Sequence, residues 1–589
     1  VTDAFLGVES SLGGKRWRSR IDDDRLAGAL AQKLGVPELI GRILAGRNVG
    51  LDEAEAWFRP TLRTWLPDPS SFLDMDSAAA RVADAIQAGQ TIAVFGDYDV
   101  DGATSSALLR RFLRAVGSDP VIYIPDRMRE GYGPNEPAMR KLAADGVRVV
   151  ITVDCGTMSY GPLAAARTVG LDVIVIDHHI AEPRLPEAFA VVNPNRVDES
   201  GAHRQLAAVG MAYMLVVAVN RELRRRNWYG GREEPNLLQW LDLVAVGTIC
   251  DVVALTGLNR ALVAQGLKVV ARRENPGLRA LADVAGLNEQ PGAYHCGFLL
   301  GPRVNAGGRV GQADLGVRLL STDDPAEAAA LAGQLNHLNR ERQEIESVVL
   351  AEALMQAERR AGDPVVIVAG EGWHPGVIGI VAARVREAAD RPAIVIALDG
   401  ERPAKGSGRS MAGVDLGAAV TAALQAGLLI NGGGHPMAAG VTLAPGGIGA
   451  LRDFLAARLA GSIAAARTAG SMGVDGALAV GGATAGLLDL LDQAGPYGSG
   501  NPEPRFVLPG ARVVKADVAG EKHVRCILTD ASGTARLKAI AFRSLEGSAI
   551  GPALLQTGGL PLHLAGHLRA DNWRGERRVQ FVIEDAARP

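Results

Sequence analysis

The run Thr91-Ile92-Ala93-Val94-Phe95-Gly96-Asp97-Tyr98-Asp99-Val100-Asp101-Gly102 decides how the first half of the chain is read. A β-type apolar stretch ends abruptly in three carboxylates at alternate positions. Left bare, those charges repel one another strongly. Something cationic is needed to hold them close, and hard divalent ions prefer oxygen ligands. An acidic surface turn is the alternative, and this segment alone tips the balance only slightly toward metal.

Outward from it, apolar β-type runs recur at 91–95, 121–124, 147–153 and 173–176. Helical stretches such as 103–115 and 161–169 alternate with them. That alternation predicts an α/β domain with a mostly parallel sheet covered on both faces. Ligands in such sheets bind at the carboxyl ends of the strands. The further polar motifs fall at those ends: Val153-Asp154-Cys155-Gly156 and Asp177-His178-His179. A lone histidine is usually structural, but adjacent histidines beside an aspartate at a strand end are not easily explained by packing. Asp251 follows the apolar run Ala245-Val246-Gly247-Thr248-Ile249-Cys250, where a carboxylate is costly to bury without a partner. Together these motifs point to a dinuclear metal site. An Asp/His set without thiolate suits Mn²⁺ or Mg²⁺, with Mn²⁺ favoured by the imidazoles. Two such ions activate water and stabilise the leaving oxygen of a phosphodiester. One carboxylate must bridge them, and Asp154 is the candidate.

Residues 325–361 read as one long helix, with Leu331, Leu335, Leu338, Ile345 and Val349 at helical spacing and a stop at Ala361-Gly362-Asp363-Pro364. It is expected to space two lobes, an ordinary packed helix being the alternative. A second α/β unit follows, with strands at 365–369 and 393–397 around a helix at 379–389. A Gly/Ala-rich break is expected near 459–473. The β-rich tail beyond it suggests a small antiparallel barrel of OB type, its last strands 562–568 and 577–583 flanking a turn at Asn572-Trp573-Arg574-Gly575. Ahead of all this, residues 1–70 mix short helical patterns with turns. Trp17, set among Lys15, Arg16, Arg18 and Arg20, reads as one anchoring aromatic in a solvated segment.

At 589 residues the chain should hold several domains. It is 48% hydrophobic and 22% charged, a globular composition. Its formal net charge of −3 carries no argument for nucleic-acid binding, so basic residues must be concentrated locally for that role. Four cysteines without a CxxC pair suit a reducing cytosol. The longest apolar stretch, 207–219, falls short of the ~20 residues that span a bilayer, so no membrane association is expected. No secretory signal is read at the N-terminus, which begins with Val1, consistent with processing, an alternative start or truncation. The arginines Arg221 and Arg224–Arg226 beside Trp228 and Tyr229 resemble a helix end and are assigned no role.

The order GDYDxDG, VDCG, DHH, GTICDVVAL resembles the DHH phosphoesterase superfamily. Further motifs resemble the RecJ exonucleases within it. These are Gly301-Pro302-Arg303-Val304-Asn305-Ala306-Gly307-Gly308-Arg309, the helix segment Leu338-Asn339-Arg340-Glu341-Arg342-Gln343, and Tyr497-Gly498-Ser499-Gly500-Asn501-Pro502-Glu503-Pro504, which is similar to the opening of their OB domain. Gly372–Gly379, Ser407-Gly408-Arg409-Ser410 and Gly432-Gly433-Gly434-His435-Pro436 resemble the associated DHHA1 domain.

The resemblance runs from about residue 70 to the end. It implies an N-terminal segment 1–70, a DHH catalytic domain 71–324, a connecting helix 325–361, a DHHA1 domain 362–465 and an OB domain 470–589. It implies Asp99, Asp101, Asp154, His178 and Asp251 as metal ligands, with Asp97 in the same motif. His179 is implied beside the scissile phosphate, or else as a support for His178. Phe95 stands where several relatives carry a metal-binding histidine. Arg127, Arg303, Asn305, Arg309, Ser407, Arg409 and His435 are implied as substrate contacts, Ser407 and Arg409 for a terminal 5′-phosphate. The glycines 432–434 are expected in a substrate-facing loop, and Trp573, Arg574, Arg577 and Arg578 as contributors to a strand-binding surface.

The expected activity is 5′→3′ hydrolysis of single-stranded DNA to 5′-mononucleotides in repair and recombination. A toroid-like cytoplasmic monomer would admit only a single strand, with a single-strand-binding protein and a RecQ-type helicase as partners. Two alternatives stay open. A phosphodiesterase for short oligonucleotides or cyclic dinucleotides would not need the tail, and an inactive replication scaffold would have lost the ligands.

Overall fold

The computed structural model describes residues 3–127, 129–468, 470–571 and 578–589. The chain divides into two compact units. One comprises residues 1–301, 316–329 and 471–589, the other residues 302–315 and 330–470.

The first unit contains the expected parallel sheet. Its order is Val121–Tyr123, Ile92–Gly96, Val149–Val153, Asp172–Ile176, Ala190–Val192. All neighbours run parallel. The strands Ile92–Gly96 and Val149–Val153 are buried at every position, which is why they read as unbroken apolar runs rather than alternating ones. On one face Ala93, Phe95, Val150 and Val175 meet Met139, Leu142 and Leu163 of the helices Glu136–Ala144 and Tyr160–Thr168. The helix Val100–Ala115 packs on the strand Ile92–Gly96 and on the helix Ala208–Arg225, into which the longest apolar stretch folds. The chain passes to opposite sides of Ile92–Gly96 for its next two strands. A crevice therefore opens at the carboxyl ends of Ile92–Gly96 and Val149–Val153.

The same unit ends in the β-rich tail. Strands Phe506–Ala519, His523–Thr529, Arg536–Ala541, Arg578–Ala587 and Leu562–Asp571 pair in that order, and the last pairs back onto the first. Closure into a ring removes free edges, as in an OB-type barrel. The turn 572–575, with Trp573, Arg574 and Arg577, lies outside the described residues. Arg578 opens the last strand.

The N-terminal segment departs from its reading as a solvated stretch. The strand Arg16–Ser19 pairs in parallel with Ser471–Val474. Strand alternation turns Trp17 inward while Arg18 stays exposed. Trp17 is fully buried, and its Nε1 donates to Asp585 at 2.9 Å. Leu30, Ile40, Ile43 and Trp57 share one core with Leu488, Phe506 and Phe581 of the tail. The arginines Arg221, Arg224, Arg225 and Arg226 are engaged in ion pairs with neighbouring carboxylates.

The second unit holds a five-stranded sheet in the order Asn431–His435, Ala438–Leu443, Ala404–Arg409, Ala393–Leu398, Val366–Glu371. Only the last pair is parallel. The helix Pro325–Glu358 begins in the first unit and continues in the second. Its Val349, Ala353 and Ala357 pack on Val366 and Val368, so it is a packed helix over that stretch and not only a spacer.

Two expectations fail here. The Gly/Ala-rich break near 459–473 is largely helix, since Ile448–Thr468 runs through it. Leu451, Leu455, Leu459 and Ile463 are buried at four-residue spacing, and that stripe outweighs the cost of Gly461 in the helix interior. The glycines 432–434 form not a loop but the edge strand Asn431–His435. The helix Leu416–Gln425 lies against this strand through its own Gly417, where a Cβ would stand 2.7 Å from the Gly434 carbonyl, while a Cβ on Gly434 would stand 2.3 Å from the Ala438 carbonyl of the neighbouring strand.

Candidate metal centre

Each carboxylate of the first motif is fixed differently. Asp97 is buried just past the strand Ile92–Gly96. Gly102 makes room for it, because a Cβ there would meet the Asp97 backbone at 2.4 Å. Asp99 caps the helix Val100–Ala115, accepting from the amides of Asp101 and Gly102 at 2.9 and 3.1 Å. Asp101 points the other way, its two oxygens taking the Ala208 and Val209 amides at 2.7 and 2.8 Å. Asp154 follows the strand Val149–Val153 in a left-handed conformation, φ 60°, which swings its carboxylate over the sheet end. His178 and His179 follow the strand Asp172–Ile176. Asp251 terminates the helix Leu241–Cys250.

These residues converge. The His178 Nε2 lies 3.2 Å from Asp154, 3.6 Å from Asp251 and 3.9 Å from Asp101. Three sets place their ligand atoms within 4.8 Å of one another: Asp97, Asp99 and Asp154; Asp154, His178 and His179; and Asp101, His178 and Asp251. Asp154 joins the first two sets, and His178 joins the last two.

Burial, then the charge of Asp99, pushes the Asp97 and Asp154 carboxyls well above the ordinary range. The same causes raise Asp101 to about 7, and burial with Asp101 and Asp99 raises Asp251 to about 9. Burial lowers His178 to about 4, which keeps its imidazole neutral and able to ligate. Burial opposes charge on His179 as well, but the hydrogen bond to Asp177 together with the charges of Asp177, Asp251 and Asp97 outweighs it and raises it to about 9. Among the described residues, Asp97 Oδ1, Asp251 Oδ2 and His178 Nε2 are buried polar atoms with no hydrogen-bond partner. So many unpaired acceptors in one crevice fit divalent cations and little else.

This electrostatic arrangement gives the first prediction. An acid whose pKa is raised by folding holds its proton longer folded than unfolded. Stability therefore falls as pH rises from the ordinary carboxylate range, about 4, through the folded value. The chelated protein should lose stability from about pH 5 to pH 9 as Asp101 and then Asp251 ionise. Saturating Mn²⁺ should restore roughly 3 kcal/mol and shift the melting temperature more at the alkaline end. A Mn²⁺ shift that shrinks as pH rises would contradict this.

Asp177 of the histidine motif and several residues outside the motifs support these side chains. Asp177 accepts from the amides of Thr157, His178 and His179 and from the His179 Nδ1 at 2.7 Å. The Asn193 side chain donates to Thr157 and to the His179 carbonyl, and that of Asn195 to the His178 carbonyl. The Tyr132 hydroxyl donates to the Asp154 carbonyl at 2.8 Å. Phe95 is buried and stacked on Tyr123 at 5.0 Å, so it is part of the core. Of the substrate candidates, Arg127 belongs with this cluster, its guanidinium 5.1 Å from the Tyr98 ring centroid.

The other candidates are in the second unit. Arg303, Asn305 and Arg309 share the helix Gly301–Val310. Arg303 donates to Asn336 at 3.0 Å, and Arg309 to the Gly376 carbonyl at 2.8 Å. Arg409 donates to the Ser407 hydroxyl at 3.1 Å, and both lie beside Gly379, in the first turn of the helix Ile378–Ala389. His435 is exposed and lies in one cross-strand row with Ala438 and Arg409.

The chain matches the DHH family, N-terminal domain, over residues 91–248, the DHHA1 domain over 362–461 and the RecJ OB domain over 474–585. A parallel sheet with carboxylates and paired histidines at its switch point, joined to a DHHA1 domain, defines a DHH-type phosphoesterase. The single-stranded-DNA-specific exonuclease RecJ of Salmonella typhimurium is 35% identical over 564 residues, 93% of this chain and 96% of that protein. Its Escherichia coli counterpart is 34% identical over the same length and shares. The crystal structure of Thermus thermophilus RecJ with Mn²⁺ superposes with a TM-score of 0.80 at 30% identity, covering 98% of this chain and 80% of that one. The chain belongs to the RecJ family.

Proposed function

We infer that this chain is a metal-dependent exonuclease specific for single-stranded DNA. The observation that carries the reading is the cluster of three interlocking ligand sets at the sheet switch point, with its buried, unpaired oxygen and nitrogen atoms. The OB-type ring accompanies it, a strand-binding surface that a short or cyclic substrate would not need. Asp97, Asp99, Asp101, Asp154, His178 and Asp251 would hold two divalent ions, Mn²⁺ in preference to Mg²⁺. When bound, such ions supply an activated water and neutralise charge on the scissile phosphate.

The protein's own groups do the rest. Asp154 orients both ligand sets, and its backbone is held by Tyr132. His179, locked by Asp177 and partly exposed, donates to a phosphate oxygen. Arg127 gathers the strand. In the second unit, Ser407 and Arg409 beside a helix N-terminus suit a terminal 5′-phosphate, with Arg303, Asn305, Arg309 and His435 as further contacts. Hydrolysis then proceeds 5′→3′, releasing 5′-mononucleotides.

We assign the catalytic DHH domain to 71–324, the DHHA1 domain to 362–465 after the helix 325–361, and the OB domain to 470–589. Repair and recombination in the cytoplasm, beside a single-strand-binding protein and a RecQ-type helicase, are the setting this activity fits. No helix among the described residues is long and apolar enough to cross a membrane.

The test is an end-labelled DNA, single- or double-stranded, 5′-phosphorylated or not, with Mn²⁺ or EDTA. Metal-dependent release of mononucleotides from the 5′ end of the single strand is expected, faster from the phosphorylated end. Release from the 3′ end would reverse the polarity, and binding without cleavage would leave a scaffold.

A further inference from the structure

Two adjacent buried polar residues near the start of the helix Gly257–Arg272 reach in opposite directions. Asn259 turns toward the metal centre. Its amide donates to the Ala254 carbonyl at 3.1 Å and to the Gln205 carbonyl. Each carbonyl belongs to a segment that mounts ligands. Ala254 closes the short loop after Asp251. Gln205 lies just ahead of Ala208 and Val209, whose amides hold Asp101. One side-chain amide therefore ties together the mountings of Asp101 and Asp251, two members of one of the three ligand sets.

Arg260 faces away from the centre. Its guanidinium lies over the Trp57 ring, 3.7 Å from the centroid, and donates to the carbonyls of Trp57, Gln493, Ala494 and Gly495. Its partners in these bonds are carbonyl oxygens at or near the C-terminal ends of the helices Ala54–Phe58 and Ala485–Ala494, where the helix dipole is negative. The second of these helices leads into the barrel. The segment after it also touches the ligand loop directly. The Leu255 amide donates to the Ser499 carbonyl at 2.7 Å, and a Cβ on Gly500 would stand 2.8 Å from the Ala254 Cβ.

We propose that Asn259 and Arg260 are positioning residues that make the geometry of Asp101 and Asp251 depend on how the segment 493–501, the entry to the barrel, is seated. The proposal rests on the metal-dependent reading above. Groups that orient metal ligands change metal affinity by about 10- to 100-fold. Here that leverage is handed to a segment of another domain, so a displaced barrel loosens the metal centre without touching a ligand.

Two glycine variants of the full chain test it. Gly500 and Gly510 both sit in the left-handed region, φ 71° and 59°, so alanine adds similar backbone strain at each. Only Gly500 abuts the ligand loop; a Cβ on Gly510 meets nothing within 4 Å. Mn²⁺ binding is read from the free-ion EPR signal. Gly500→Ala should weaken binding of one ion by about tenfold while Gly510→Ala matches wild type. On a short oligonucleotide, Gly500→Ala should lower kcat at saturating DNA with little change in KM. Equal Mn²⁺ binding by the two folded variants overturns the proposal. If Gly500→Ala does not fold, Arg260→Lys takes its place: it keeps the charge but loses the guanidinium fork, the same weakening is expected, and wild-type Mn²⁺ binding by it overturns the proposal equally. Failure of the wild-type chain to bind Mn²⁺ would instead strike the metal-dependent reading itself.

Discussion

Asp154→Ala should lower exonuclease turnover on the order of 10³-fold or more while the protein stays folded and still binds single-stranded DNA. Asp154 is the one carboxylate common to the Asp97/Asp99 set and the His178/His179 set. Its loss separates two clusters that otherwise share an oxygen donor. Losing several kcal/mol of charge stabilisation at the phosphate is a thousandfold effect. Stability should move the other way. Asp154 is buried in a left-handed turn, and burial beside Asp99 and Asp101 opposes its ionisation. Removing it relieves that repulsion, so the chelated variant should melt no lower than the chelated wild type. Turnover of labelled DNA, Mn²⁺ stoichiometry and a thermal melt decide the matter together. Metal-dependent turnover retained by a clean preparation would sink the bridging role.

Trp17→Ala should be the most damaging single truncation at the N-terminus, costing about 3–5 kcal/mol. In a unit of this size that corresponds to a fall in melting temperature of roughly 3–6 °C. The indole is fully buried among Val474, Val507 and Ala565, and its removal also takes a donor from the buried Asp585 carboxylate. Trp17→Phe keeps most of the buried surface and loses only the hydrogen bond, so it should cost about 1–2 kcal/mol. A melt unchanged in Trp17→Ala would mean that the strand Arg16–Ser19 is peripheral to the barrel.

The parallel sheet could be read from the sequence because its central strands are buried on both faces and their apolar runs stop at charged residues, as at Gly96-Asp97 and Val153-Asp154. The ligand cluster was legible for the same reason: strand ends converge, so motifs at strand ends converge. What holds the ligands was not legible. Asp101 is anchored by amides more than a hundred residues away, at Ala208 and Val209. Asn193, Asn195 and Asn259 are ordinary polar residues until long-range contacts make them donors. Around Trp17, the expected anchor, the basic neighbours suggest solvent, whereas alternation along a strand allows exposed arginine beside buried tryptophan. The helix Ile448–Thr468 was missed because a glycine within an alanine-rich stretch resembles a linker, although leucines at four-residue spacing run through it. Glycines 432–434 suggest a loop because glycine implies freedom, whereas here Gly434 lets the edge strand lie close to its neighbour.

The pairing of Trp17 with Asp585 joins positions 568 residues apart, and the tail shares its interior with Leu30, Ile40, Ile43 and Trp57. The C-terminal barrel is therefore not a transferable cassette. Grafted alone onto another protein, residues 474–585 would carry an uncovered apolar side and be prone to self-association. During synthesis the early segment emerges long before its partners and must wait, unpaired, until nearly the whole chain has been made. Evolution could exchange this barrel between proteins only by moving two distant stretches of gene together, whereas a domain with a self-contained core moves as one.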